Sequence, residues 1–132
     1  MRPQPLIAVR DVEKSSRWYQ KLLGCTSGHG GSEYERLMRG DDFIMQLHAW
    51  GAHEHPPLMD PDAAPVGHGV LLWFQVDDFD AALKRARALK PKFLDELLVN
   101  ESGQQRETWL YDPDGYVVVL AGMPGDMGKA KR

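Results

Sequence analysis

The chain has 132 residues, 42% of them apolar, with a formal net charge of −3; that suits one compact domain or two small modules sharing a core. The charge excludes the basic footprint of a nucleic-acid binder, and the longest apolar stretch, residues 70–74, is far short of a bilayer span. Cys25 is the only cysteine, so no internal disulfide forms, and with no apolar leader near Met1 the expected location is the cytoplasm.

The first strand is predicted over residues 4–9, with Pro3 and Pro5 placing its start at a sheet edge. Asp11 follows as a helix cap. Val12, Tyr19, Leu22 and Leu23 then form one apolar stripe of a helix over residues 12–23, which Gly24 ends. The Gly-rich residues 25–31 leave room for a short strand. Residues 32–38 and 42–50 read as a hairpin around Arg39-Gly40-Asp41. In its second arm Phe43, Met45 and Leu47 alternate with Ile44, Gln46, His48 and Trp50. The period of two predicts that the apolar set faces the helix and the mixed set a surface or cavity.

Residues 51–67 form a linker with four prolines and no apolar period. The chain then repeats itself. Residues 69–76 are an apolar strand, Asp77 or Asp78 caps a helix, and Phe79, Ala82, Leu83, Ala86 and Leu89 give its stripe. Val9-Arg10-Asp11 and Val76-Asp77-Asp78 lie 67 positions apart. After Pro91, strands are predicted over 93–99, 104–111 and 116–121, the last two joined by Asp112-Pro113-Asp114-Gly115 as a turn. Residues 123–132 are expected to be a loose tail.

One supersecondary unit written twice argues for duplication. The predicted class is α+β, two tandem βαβββ modules in a domain of residues 1–122, module one over about 4–50 and module two over about 68–121. A helix on one face of each sheet leaves the other face for a ligand. The pattern alone also suits a ferredoxin-like or related α+β sandwich.

Several side chains are candidates for chemistry. Alternation sets His48 beside Gln46 and Trp50, where an imidazole can act as general base or hydrogen-bond partner. His53-Glu54-His55 offers metal-binding side chains, but a Pro-rich loop holds ligand geometry poorly. Cys25 has no His or Asp at a fixed spacing and reads as packing. Gln105, Glu107 and Trp109 share one face of their strand, and Trp73 shares a face with Leu71. Arg106 should then point to the helix side or the edge.

Ile7 to Asp11 running through Trp18-Tyr19 to Gly24, Val76 to Ala82, and Tyr111-Asp112-Pro113-Asp114-Gly115-Tyr116 together resemble the vicinal oxygen chelate superfamily, which includes glyoxalase I, bleomycin-resistance proteins and extradiol dioxygenases. The resemblance implies paired βαβββ modules with cupped mixed sheets around a ligand cavity, and a homodimer. It also implies a cavity lining of Gln4, Gln46, His48, Trp50, Trp73, Glu107 and Trp109. His48 and Glu107 are the candidates for moving a proton, and the others for binding a small organic ligand. Metal-using relatives place donors at four positions that are Gln4, Gln46, Leu71 and Val119 in this chain. Two amides and two hydrocarbons suit a divalent ion poorly. No cofactor is therefore predicted, and the reading is a metal-free binder or side-chain-only enzyme. The alternatives are a metal-dependent lyase or isomerase resembling glyoxalase I, with Gln4, His48 and Glu107 completing an altered site, or a dioxygenase-like enzyme. A further alternative is a subunit or regulatory module with a vestigial cavity.

Overall fold

The computed structural model describes residues 2–51 and 55–128, and its contacts divide the chain into two units between His68 and Gly69. The first unit runs β1 (Leu6–Val9), α1 (Val12–Leu23), β2 (Thr26–Ser27), β3 (Tyr34–Arg39) and β4 (Asp42–Ala49), with a single 3-10 turn, Pro56–Leu58, after it. The second runs β5 (Leu71–Gln75), α2 (Phe79–Ala88), β6 (Phe93–Asn100), β7 (Gln105–Tyr111) and β8 (Val117–Ala121). The two four-stranded sheets have the orders β1-β4-β3-β2 and β5-β8-β7-β6. In both, the first strand lies parallel to the last and the other pairs are antiparallel. The α+β class and the repeated βαβββ plan follow directly.

Local chemistry sets the helix ends. Asp11 Oδ1 accepts from Lys14 N at 3.0 Å, and Gly24 closes α1 in the left-handed region at φ 64°. Of the two aspartates before α2, Asp78 is the cap, its Oδ1 accepting from Ala81 N at 3.1 Å. The α1 stripe Val12, Tyr19, Leu22 and Leu23 is buried, as is Phe79, Ala82, Leu83 and Ala86 on α2, while Leu89, expected in the same stripe, caps the end of α2 and is only half-buried. Against α1, Met45 and Leu47 are fully buried, as the alternation predicts, and Leu37 joins them. Phe43, expected on the same face, lies beyond a register shift in the β3–β4 ladder, is only half-buried and has Arg36 Cζ 5.9 Å from its ring centroid. In the second unit Leu72, Leu110, Val118 and Leu120 fill the same role.

Register aligns the copies. Leu6 and Trp73 each stand five residues before their capping aspartate, and they pair with Gln46 and Val119 respectively. Likewise His48 pairs with Tyr34 and Ala121 with Glu107. Most predicted strands shorten by a residue or two at their ends. The tail departs more. Beyond β8, Gly122 N donates to Arg106 O at 2.9 Å, Arg106 N to Asp126 O at 3.2 Å and Gly125 N to Gln104 O at 2.6 Å. Residues 122–128 are thus tied back on β7, through a guanidinium and backbone contacts that composition does not signal. No helix among the described residues is long and apolar enough to cross a membrane.

Candidate functional site

The sheet face turned away from α1 carries Gln46, His48 and Tyr34, because residues paired across a ladder share a face. Gln46 is spent on its neighbours. Its Oε1 accepts from the Tyr34 hydroxyl at 2.6 Å and its Nε2 donates to the carbonyl of Gln4 at 2.9 Å. Gln4 precedes β1 and is exposed, so what it brings to this cluster is its backbone oxygen. The His48 ring lies 6.2 Å from that of Tyr34 and 5.6 Å from that of His55, both edge-on. Its Nδ1 sits 2.9 Å from the carbonyl of Ala49. A carbonyl only accepts, so Nδ1 carries the proton of the neutral ring and Nε2 is its basic atom. Trp50 follows β4 directly and is half-buried. His53 and Glu54 lie outside the described residues.

The corresponding face of the second sheet carries Trp73, Glu107 and Trp109. Trp73, Val119 and Trp109 form one row across β5, β8 and β7. Strands two apart lie about 9.5 Å from each other, yet the two indole centroids are 6.1 Å apart at an interplanar angle of 81°. The rings therefore lean together above Val119, which is fully buried, while Trp73 remains 44% exposed. Glu107 is 1% exposed. Its carboxylate accepts from Asn100 Nδ2 at 2.8 Å, Gln105 Nε2 at 2.9 Å and Trp109 Nε1 at 2.9 Å. Three donors hold the carboxylate in place on the sheet face. Arg106 points the other way, onto α2, as alternation requires.

The four positions where relatives hold a metal do not fit a divalent ion. Leu71 and Val119 have no lone pair, and both ends of the Gln46 amide are engaged. Among the described residues, no group of three or more His, Cys, Asp or Glu side chains is placed to hold a metal. Cys25 is buried, with its thiol 3.6 Å from the Tyr19 carbonyl, and burial pushes its pKa up to about 11. A thiol so raised is packing, not a nucleophile.

Two residues escaped the sequence reading. Tyr34 is one. The other is Glu35, on the helix side, whose alternation with Leu37 was the available signal. Glu35 is 3% exposed. It accepts from the hydroxyls of Ser16 and Ser27, both at 2.7 Å, and from the backbone N–H of His29 at 3.1 Å, Gly30 at 2.8 Å and Arg36 at 3.0 Å. Burial alone would raise its pKa, but the Ser16, Gly30, Ser27 and His29 donors prevail and hold it below the usual carboxylate range. It walls a cleft of about 150 Å³ between α1 and the Gly-rich loop, on the face opposite Gln46 and His48. Its oxygens are already satisfied from within the fold.

A sequence profile of the Glyoxalase/Bleomycin resistance protein/Dioxygenase superfamily matches residues 3–120. The chain belongs to that superfamily. Solved structures share its fold. A protein of unknown function from Agrobacterium tumefaciens str. C58 is 25% identical with a TM-score of 0.73, covering 92% of this chain and 94% of its own. A glyoxalase/bleomycin resistance protein/dioxygenase family enzyme from Burkholderia phytofirmans PsJN is 21% identical at 0.72, covering 89% and 94%. TioX from Micromonospora sp. ML1 is 16% identical at 0.68, covering 92% and 98%. No curated protein matches the sequence significantly. Superfamily membership specifies the scaffold, and activity rests with the side chains placed on it.

Proposed function

We propose that this superfamily member binds a small, partly apolar organic molecule at a helix-free sheet face, without the metal that metal-using relatives hold. The observation that carries this reading is the composition of the helix-free faces. They present the His48 imidazole, half-buried Trp50, and the Trp73–Trp109 corner beside a buried carboxylate, while the metal-ligand positions hold hydrocarbon or committed amide. Aromatic walls with a few fixed polar groups are the usual make-up of an organic-ligand site. If the bound molecule is also turned over, His48 is the base, through Nε2. The hydrocarbon at Leu71 and Val119 and the committed amide of Gln46 weigh against the metal-dependent lyase reading.

Native mass spectrometry and elemental analysis of protein purified without added metal test this. The expected result is an organic adduct released on denaturation, and no stoichiometric divalent ion held through those four positions. One tightly bound zinc, nickel or iron per chain, lost in Gln4→Ala, would overturn the proposal and restore a lyase. Loss of such a metal in His53→Ala or His55→Ala would instead place it in the linker.

The proposal includes a homodimer. Strands β1, β2, β5 and β6 are sheet edges, and β6 exposes Leu94, Leu97 and Val99. Apolar edges of this kind favour pairing. Equilibrium sedimentation at micromolar concentration should return twice the 14.9 kDa chain mass, and a monomer across that range would refute the dimer.

A further inference from the structure

The two indoles of the second sheet do not form a plain hydrophobic wall. They meet edge to face at 81° with centroids 6.1 Å apart, an aromatic corner that covers the buried Val119 and leaves Trp73 44% exposed and Trp109 half-buried. Trp109 donates its Nε1–H to Glu107 Oε1 at 2.9 Å. A donor engaged by a carboxylate leaves the indole ring more electron-rich, which strengthens its pull on a cation. Glu107 itself is enclosed, and its partners Asn100, Gln105 and Trp109 are all neutral. Among the described residues it forms no ion pair. A carboxylate offers about four lone-pair sites, and three are taken. A second carboxylate flanks the same ring. Asp95 of β6 pairs directly with Trp109, which puts it on the same face, and it is exposed. Along the face, Lys92 Nζ already lies 5.3 Å from the centroid of Tyr111. The neighbouring aromatic ring is therefore satisfied by a cation from the chain itself, while the Trp73–Trp109 corner is left for one from outside.

We infer that this corner takes an organic cation, specifically the alkylated ammonium end of a small molecule. The inference rests on the reading of these faces as ligand surfaces and narrows it to a substrate class. The exposed Trp73 indole, with Trp109 edge to face beside it, offers the methyl groups of such a head an aromatic surface. The buried Glu107 and the exposed Asp95 supply the opposite charge, and the aromatic surface disfavours a hydrated metal ion. Alkylated ammonium suits the site better than a free amine, because it carries its charge without the strong hydration that an NH3 group would lose.

The test compares choline with 3,3-dimethylbutan-1-ol, its neutral isostere, by following tryptophan fluorescence and NMR shifts of the full chain. Choline is expected to bind saturably and about tenfold tighter than the alcohol, a difference that corresponds to about 1.4 kcal/mol. Trp73→Leu, at an exposed position that leaves the fold intact, should abolish the difference, and Asp95→Asn should reduce it. Glu107→Gln should bring the two ligands within about threefold of each other, given that a removed charge leaves only shape to choose between them. Equal binding of choline and the alcohol would overturn the cation inference and leave the small-molecule reading standing. Saturation by neither would also overturn it, and the adduct found by native mass spectrometry would then decide the wider reading separately.

Discussion

Replacing Glu35 with alanine is expected to cost about 4 kcal/mol of stability, a large part of what a domain of this size has. The side chain is 3% exposed and accepts five hydrogen bonds, from Ser16, Ser27, His29, Gly30 and Arg36. Hydrogen bonds to a charged group contribute about 1.5–3 kcal/mol each, but those around one carboxylate are not additive. Alanine would leave two hydroxyls and three backbone N–H groups pointing at one void. Glu35→Gln keeps the shape but turns an NH2 group toward donors, so it should cost about 2–3 kcal/mol at neutral pH. The pH dependence gives a sharper test. The folded pKa lies below the unfolded value of 4.5, so the folded state gains from ionisation. That gain is fully present above about pH 4.5 and is lost as pH falls from there toward the folded pKa. Urea melts of the wild type and Glu35→Gln should therefore converge on acidification. A gap that stays constant from pH 7 to pH 3 would show that the charge of Glu35 does not support the fold.

That network also marks where sequence reading stops. The cap at Asp11, most of the helix stripes and the facing of Met45 and Leu47 depend on contacts within a few residues and were legible; the second cap was legible only as Asp77 or Asp78. Glu35 was not. Its parity with Leu37 puts it on the helix side, but its donors come from α1, β2 and the Gly-rich loop, which meet only once the sheet has formed. Its counterpart by register is Thr108, facing Leu120 as Glu35 faces Leu47. Thr108 Oγ1 is buried with no hydrogen-bond partner among the described residues, so duplication preserved the position and not the network. The candidate site divides in the same way. Alternation put Glu107 and Trp109 on one face and Trp73 on that of Leu71. That Trp73 and Trp109 share a row through Val119 required the register of β5, β8 and β7. The commitment of Gln46 to Tyr34 and Gln4 required the pairing of β3, β4 and the chain before β1.

Truncating Phe79 to alanine should also cost about 4 kcal/mol, for a different reason. Phe79 opens α2, is 1% exposed, and is among the largest fully buried side chains in the chain. Its ring also supports Arg106, whose Cζ lies 4.7 Å from the ring centroid. From that position Arg106 reaches Asp80 Oδ1 at 2.8 Å and Asp126 Oδ1 at 2.9 Å, joining the start of α2 to the segment after β8. These aspartates and the burial of the guanidinium act on it together, with the Asp80 hydrogen bond foremost, and its pKa is raised. Phe79→Leu keeps most of the volume and should cost about 1.5 kcal/mol. Phe79→Ala opens a cavity and removes the surface on which Arg106 lies. A double-mutant cycle with Arg106→Met should then return a coupling of about 1 kcal/mol, the size of a partly desolvated cation–π contact. Hydrogen exchange reads the same link in the backbone. The Arg106 N–H bonded to Asp126 O and the Gly125 N–H bonded to Gln104 O should lose protection in Arg106→Met, while the amides of β4 in the first unit keep theirs. A Phe79→Ala cost below about 1 kcal/mol would mean that this end of α2 is outside the folded core. Unchanged exchange at Arg106 and Gly125 would mean that the segment after β8 is held by its backbone alone, without the guanidinium.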